Sequence, residues 1–172
     1  MQEQRIGNLV KWVDKRNKNL VTTNLLGINI DKFFMPSVAN IIGTDLSSYK
    51  VIEKGQFACN PMHVGRDEKM PIALYLADEI ALVSPAYFVF EVEKTQEILP
   101  EYLMLWFRRS EFDRENWFHT DATVRGGILW EDICDMTIPV PALDEQQRIV
   151  ASYNDIETRI AIKRKINDNL AA

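Results

Sequence analysis

The sequence predicts an α+β fold: a mixed, mostly antiparallel sheet with short helices, followed by a long C-terminal coiled-coil helix. Three observations point there. Short apolar runs of strand length, separated by turn residues, fill the chain up to Val92. From Pro100 the spacing of apolar residues becomes helical. From Ile149 apolar residues recur at 4-3-4 intervals in an otherwise charged segment.

Taken in order, Leu20 to Ile30 is rich in Val, Leu, Ile and Thr and reads as a strand. Tyr49-Lys50-Val51-Ile52 alternates, Glu53-Lys54-Gly55 gives a turn, and Gln56 to Cys59 reads as the next strand. Pro71 to Leu76, Ile80 to Val83 and Ala86 to Val92 follow as further strands. Pro100 suits the first position of a helix whose apolar face is Tyr102, Leu103, Leu105, Trp106 and Phe107. Ser110 to Asp113 has the pattern of a capping box and opens a second helix, and Leu129 to Asp135 gives another. Pro139-Val140-Pro141 forces an extended segment. Asp144, with Gln147 three residues on, caps a final helix of about 27 residues and roughly 40 Å. Its seam is Ile149, Tyr153, Ile156 and Ile160, then Lys163 and Asn167, so it weakens or shifts towards Ile162 and Ile166. A helix with one apolar stripe calls for a partner helix. The expected division is therefore a domain over 1–141 and a helix over 142–172.

The 172 residues are 47% hydrophobic, enough for one globular core. No stretch approaches the ~18–20 apolar residues of a membrane span, and the polar start lacks a signal-type run, so a cytoplasmic chain is expected. The net charge of −5 is localised. Between Ile72 and Glu101 stand six acids and one base; the rest of the chain balances nineteen against nineteen. Local potential, not total charge, decides attraction to an anionic partner. Cys59 and Cys134 sit among apolar residues as free thiols.

No catalytic constellation is present, so the chain is not expected to be an enzyme. Asn60-Pro61-Met62 lacks the second proline and aromatic ring of a methyltransferase motif, and Gly126-Gly127 is no cofactor turn. Asp67-Glu68-Lys69 has no upstream Pro-Asp to complete a nuclease site. His63 and His119 have no ligand spacing to each other or to a cysteine. No metal or cofactor is expected.

The most specific stretch runs from Thr123 to Val150: Thr-Val-Arg-Gly-Gly-Ile-Leu-Trp-Glu-Asp-Ile-Cys-Asp-Met-Thr-Ile-Pro-Val-Pro-Ala-Leu-Asp-Glu-Gln-Gln-Arg-Ile-Val. It resembles the end of a target-recognition domain in type I restriction–modification specificity subunits. There an Arg-containing turn leads to a short helix, a strand, a Pro-x-Pro segment, then Glu-Gln and a long helix. Arg125, Pro139, Pro141, Glu145, Gln146 and Ile149 stand at the matching positions. Leu26 to Lys32, Tyr49 to Met62 and Ser84 to Phe90 resemble earlier strands of the same domain, so the likeness covers nearly the whole chain. A whole subunit of this family carries two such domains and two antiparallel helices, which act as a ruler between half-sites and bind methyltransferase subunits. This chain holds one domain and one helix, and reads as a fragment or as a half-subunit that pairs with itself.

The resemblance implies double-stranded DNA, a methyltransferase subunit and a restriction subunit as partners, with a second specificity half or a second copy held through the helix. It also implies contacts from polar residues on loops. One candidate cluster is Asn60, His63, Arg66 and Lys69; Arg reads guanine and Asn reads adenine by paired hydrogen bonds. A second is His119, Thr123 and Arg125, where the following glycines permit close backbone approach to a phosphate. A third, Lys50, Lys54, Arg108 and Arg109, suits phosphates, although Arg108 and Arg109 also suit pairing with Glu111 and Asp113. Trp12, Trp106, Trp117 and Trp130 are read as core, Trp117 alternatively as an interface aromatic. The other class of function open to such a chain is an assembly module that uses the helix without reading DNA sequence.

Overall fold

The computed structural model describes residues 2–38, 43–120 and 127–170; of His63, Arg66 and Leu170 only the backbone is described. The strands are β1 (Gln2–Arg5), β2 (Val10–Trp12), β3 (Leu26–Ile28), β4 (Phe34–Pro36), β5 (Lys50–Ile52), β6 (Gln56–Cys59), β7 (Ile72–Leu74), β8 (Ala81–Val83), β9 (Phe88–Val92) and β10 (Thr137–Val140). The helices are α1 (Val64–Asp67), α2 (Pro100–Phe107), α3 (Ser110–Thr120), α4 (Trp130–Asp135) and α5 (Leu143–Leu170). The α+β architecture expected from the sequence is present, and every strand ladder is antiparallel.

A four-stranded sheet of order β2-β9-β6-β7 forms the centre. Its middle strands are apolar on both faces, and the period-two alternation of side chains sorts them into two layers. Phe57, Cys59, Phe90 and Val92 join Leu103, Phe107, Phe112, Ile133 and Ile138 in the larger core. Phe57 and Phe90 are register partners and stack at 5.0 Å with planes 5° apart. Burial of each ring contributes about 1.5–3 kcal/mol. On the opposite face Ala58 and Val89 meet Ile52, Tyr75, Ala81 and Val83, with β3 and β4 packed outside them.

Several elements differ from the sequence reading. Only Leu26–Ile28 of the run from Leu20 to Ile30 is a strand. Upstream, the buried Asn17 side chain accepts from the Val21 amide and donates to Thr22 O and Leu46 O, bending the chain into a turn. β1, β2 and β4 carry no strand pattern that the sequence shows. β1 is polar and mostly exposed, and its place is fixed by pairing with β10, from Gln2↔Val140 to Arg5↔Thr137. The helix expected from Ser110 is present, but the Asp113 side chain accepts from Lys32 Nζ and the Met70 amide. α5 begins two residues before the start that an Asp144 cap implies. The Glu145 and Gln146 amides donate to Ala142 O, while Asp144 lies inside the first turn and pairs with Arg148 at 3.3 Å. Trp12, though 40% exposed, packs edge-on to Trp130 and against Phe88; Trp117 is 42% exposed and is not core. Cys59 is buried, which pushes its thiol pKa up, and Cys134 is half-buried; both are free.

No described helix is long and apolar enough to cross a membrane.

Candidate nucleic-acid interface

The Asn60–Lys69 segment meets the backbone at Gly127 and Ile128, whereas Lys50 and Lys54 of the third expected cluster lie elsewhere. After β6, Asn60 caps a short 3-10 turn (Pro61–His63) by accepting from the Met62 amide at 3.1 Å, and α1 follows directly. The Ile128 amide donates to Pro61 O at 3.2 Å, so the backbone that follows Arg125 lies against the turn that follows Asn60. Gly127 serves this contact. A Cβ there would stand 3.3 Å from Pro61 O, so the missing side chain admits neighbouring backbone. That is a different use from the phosphate approach expected of the glycine pair. α1 also packs on α3, whose last turn carries His119, exposed and 6.0 Å from the Phe118 ring. Thr123 and Arg125 lie outside the described residues. His63 and Arg66 are placed by backbone alone, in the turn and in α1.

Lys69 follows α1 and is half-exposed, 3.7 Å from Asp31. It borders a cleft of about 370 Å³ shared with Glu68, Ser110, Asp113, Arg114 and Trp117. Arg114 is exposed. Ser110, Arg114 and Trp117 are spaced i, i+4, i+7 on α3, which puts them on one face. That spacing is the sequence signal for Arg114, which the loop-centred reading passed over. An indole flanked by Lys69 and Arg114 combines a stacking surface with cations, the pairing that single-stranded and distorted nucleic acid favours. Phe118 adds an outward aromatic, 75% exposed, beside it in sequence.

Lys54 and Lys50 belong elsewhere. Lys54 lies in the turn at the opposite end of β6 from Asn60 and pairs with Asp78 at 2.6 Å. Lys50 corrects the expectation of a phosphate contact. It is 3% exposed, donates to Tyr87 O at 2.6 Å and sits 4.7 Å over the Trp12 ring, with Asp14 at 3.8 Å. Burial lowers its pKa, and Asp14 opposes that shift. This ammonium holds strands together and does not face solvent. Arg109 stacks on Trp106 at 4.3 Å and pairs with Glu111. Arg108 does not pair with an acid of α3; it donates to Tyr153 Oη at 2.6 Å.

Lys32 is a cation that the sequence reading left aside. It is 5% exposed, at the tip of the β3–β4 hairpin with φ 67°. It donates to Phe107 O and to Asp113 Oδ1, the latter at 2.7 Å. Burial lowers its pKa and Asp113 opposes this. The pair fastens the hairpin to the α2–α3 junction, where Asp113 lines the cleft. Among the described residues, no group of His, Cys, Asp and Glu has the arrangement to hold a metal ion.

On α5, Leu143, Gln146, Val150 and Tyr153 turn towards the domain, and every residue described from Asn154 on is exposed. Ile149, Ile156 and Ile160 flank that face, 40%, 56% and 38% exposed, as an open apolar stripe. Tyr153, expected in the same seam, is half-buried against Arg108 instead. Ile162 and Ile166 are exposed as well. Ile162 stands about 200° round the helix from Ile160, so there are two stripes and not one that drifts.

No protein-family model and no curated protein matches this chain. Eleven chains of solved structures do. One, from work on complex assembly and conformational transition of the type I R-M system, has a TM-score of 0.54 at 14% identity, covering 94% of this chain and 39% of its own. Another is the HsdS subunit from Thermoanaerobacter tengcongensis, with a TM-score of 0.55 at 14% identity, covering 94% of this chain and 38% of its own. The chain spans about two-fifths of the length of each. Its fold is therefore that of part of a type I specificity subunit, the family that the sequence resembles.

Proposed function

We propose that this chain reads one half of a bipartite DNA site, as the specificity subunit or half-subunit of a type I restriction–modification methyltransferase/endonuclease complex. The observation that carries the reading is the likeness of fold to such subunits across 94% of the chain. Residues 1–141 act as the target-recognition domain and 142–172 as the spacer and pairing helix. The convergence of the Asn60–Lys69 segment with the strand of chain around Gly127 supports a DNA face at that end of the domain. Asn60, His63, Arg66, His119, Thr123 and Arg125 read bases or position the duplex. Lys69 and Arg114 hold phosphates, and Lys54 reaches the backbone only by leaving Asp78. Methylation and cleavage belong to the methyltransferase and restriction subunits. The exposed isoleucines of α5 support pairing with a second specificity half or a second copy.

The test is the methylome of the host. Deleting the gene for this chain is expected to erase one bipartite adenine-methylation motif and leave other motifs unchanged. A palindromic motif would mark a self-paired half-subunit. An unaltered methylome contradicts the reading and favours an assembly role without sequence recognition.

A further inference from the structure

We infer that Gln146 and Arg108 lock α5 at a fixed angle to the recognition domain, and that this angle sets how many base pairs separate the two half-sites. The inference rests on the bipartite reading above. Gln146 is fully buried, with both ends of its amide satisfied. Its Oε1 accepts from the Leu99 amide at 2.8 Å, and its Nε2 donates to Glu97 O and Pro141 O, each at 2.8 Å. Leu99 is the N-cap of α2. At the other end of α2, the C-cap Arg108 donates to Tyr153 Oη at 2.6 Å and lies 5.5 Å over its ring. The first three turns of α5 are therefore fastened at both ends of α2, with the two helices running in the same direction. One attachment would leave a hinge; two, roughly 10 Å apart along the helix, define a direction.

Past Tyr153 no described side chain of the helix is buried: residues 154–169 are all exposed, with Glu157 and Arg164 bordering an open cleft opposite Asp31 and Lys69. That arm is roughly 25 Å long. A swing of about 10° at the joint moves its end by about 4 Å, more than the ~3.4 Å rise of one base pair. Apolar packing is non-directional and tolerates such a swing. Three hydrogen bonds from one side chain to three separate backbone groups do not, since they weaken steeply off-line.

The experiment uses the assembled methyltransferase complex and duplexes that carry the two half-sites found in the host methylome. The spacer is native, one base pair shorter or one longer. Adenine methylation rates are compared for the unaltered chain, Gln146→Met and Arg108→Ala. The unaltered complex is expected to prefer the native spacer at least tenfold. Gln146→Met is expected to cut that preference at least threefold, while discrimination against a base change inside a half-site stays as it was. Arg108→Ala changes an exposed residue and covers the case in which Gln146→Met fails to fold; it is expected to act in the same sense. Unchanged spacer preference in a folded Gln146→Met, or in Arg108→Ala if only that folds, overturns the inference. So does an equal loss of rate on all three spacers, which marks a stability effect or a phosphate contact. An unaltered complex with no spacer preference overturns the bipartite reading itself, and the inference falls with it.

Discussion

The Gln146 side-chain oxygen accepts the Leu99 amide proton at 2.8 Å, across 47 positions of sequence. This bond caps the start of α2 from a residue in α5, and the same side chain donates to Glu97 O and Pro141 O. Truncation leaves a buried amide and two carbonyls without these partners. Each unsatisfied buried group costs about 1–3 kcal/mol, partly recovered where water enters. Gln146→Ala is expected to destabilise the chain by about 2–4 kcal/mol, which corresponds to roughly 5–10 °C in melting temperature for a chain of this size. Thermal melting followed by circular dichroism checks it. A shift below about 1 °C would mean the joint carries no weight in the fold.

A buried ion pair gives the second expectation. Breaking the Lys32–Asp113 contact from one side leaves a buried charge alone, at a cost of about 3–5 kcal/mol. Asp113 also serves the Met70 amide, so Asp113→Ala is expected to cost more than Lys32→Met. The pH dependence follows from burial, which holds the Lys32 pKa below its ordinary 10.5. Between the lowered value and 10.5 the unfolded chain binds more protons than the folded one, so stability rises with pH in that window. The difference in stability between the native chain and Lys32→Met should therefore move in favour of the native chain as pH rises towards 10.5. Urea titrations at neutral and alkaline pH measure it. A difference that moves the other way would mean the ion pair outweighs desolvation.

For α5, the open stripe of Ile149, Ile156 and Ile160 leads to an expectation about assembly. The chain should self-associate at micromolar concentration, most simply as an antiparallel two-fold pair. Ile156→Asp is expected to return it to a monomer, whereas Ile162→Asp, on the opposite side of the helix, leaves the pair intact. Sedimentation velocity distinguishes the species. A native chain that sediments as a monomer, indifferent to Ile156→Asp, would rule out pairing through this stripe alone.

Much of this was legible in the sequence, for identifiable reasons. The strands from Lys50 to Val92 announced themselves because they are apolar and bounded by turns, as was α2 by Pro100 at its first turn. β1 was not legible, since an exposed polar edge strand has no apolar alternation and is defined only by its partner β10, more than 130 positions away. Lys50 read as a surface cation because lysines usually are. Its carbonyl partner at Tyr87 and its indole and carboxylate partners at Trp12 and Asp14 come from two other segments of the chain. Lys32 was hidden the same way, with Asp113 81 positions distant. In α5 the 4-3-4 spacing located the helix and the open isoleucines but assigned Tyr153 to their seam. Spacing alone does not show that the neighbouring face is occupied by α2. At the candidate interface, Asn60 and the Gly127 region were marked in sequence, and the fold brings them together. Arg114 was passed over because attention fell on loops, while it stands on a helix beside Trp117, which the sequence offered only as an alternative interface aromatic.

The central claim is that this chain reads DNA sequence, and one titration addresses it most directly. The assembled methyltransferase complex is titrated with cognate and scrambled duplexes at two salt concentrations. Arg66→Ala and Arg125→Ala are expected to weaken cognate binding by about 1–3 kcal/mol each and to leave scrambled binding nearly intact, as loss of a paired contact to guanine would. Lys69→Ala and Arg114→Ala are expected to weaken both duplexes alike and to lower the salt slope by about one unit at most, as loss of a phosphate contact would. Lys50→Ala is expected to lower stability and to leave the salt slope unchanged, because its ammonium is buried on Trp12. A native complex that binds cognate and scrambled duplexes equally at both salt concentrations would contradict the claim.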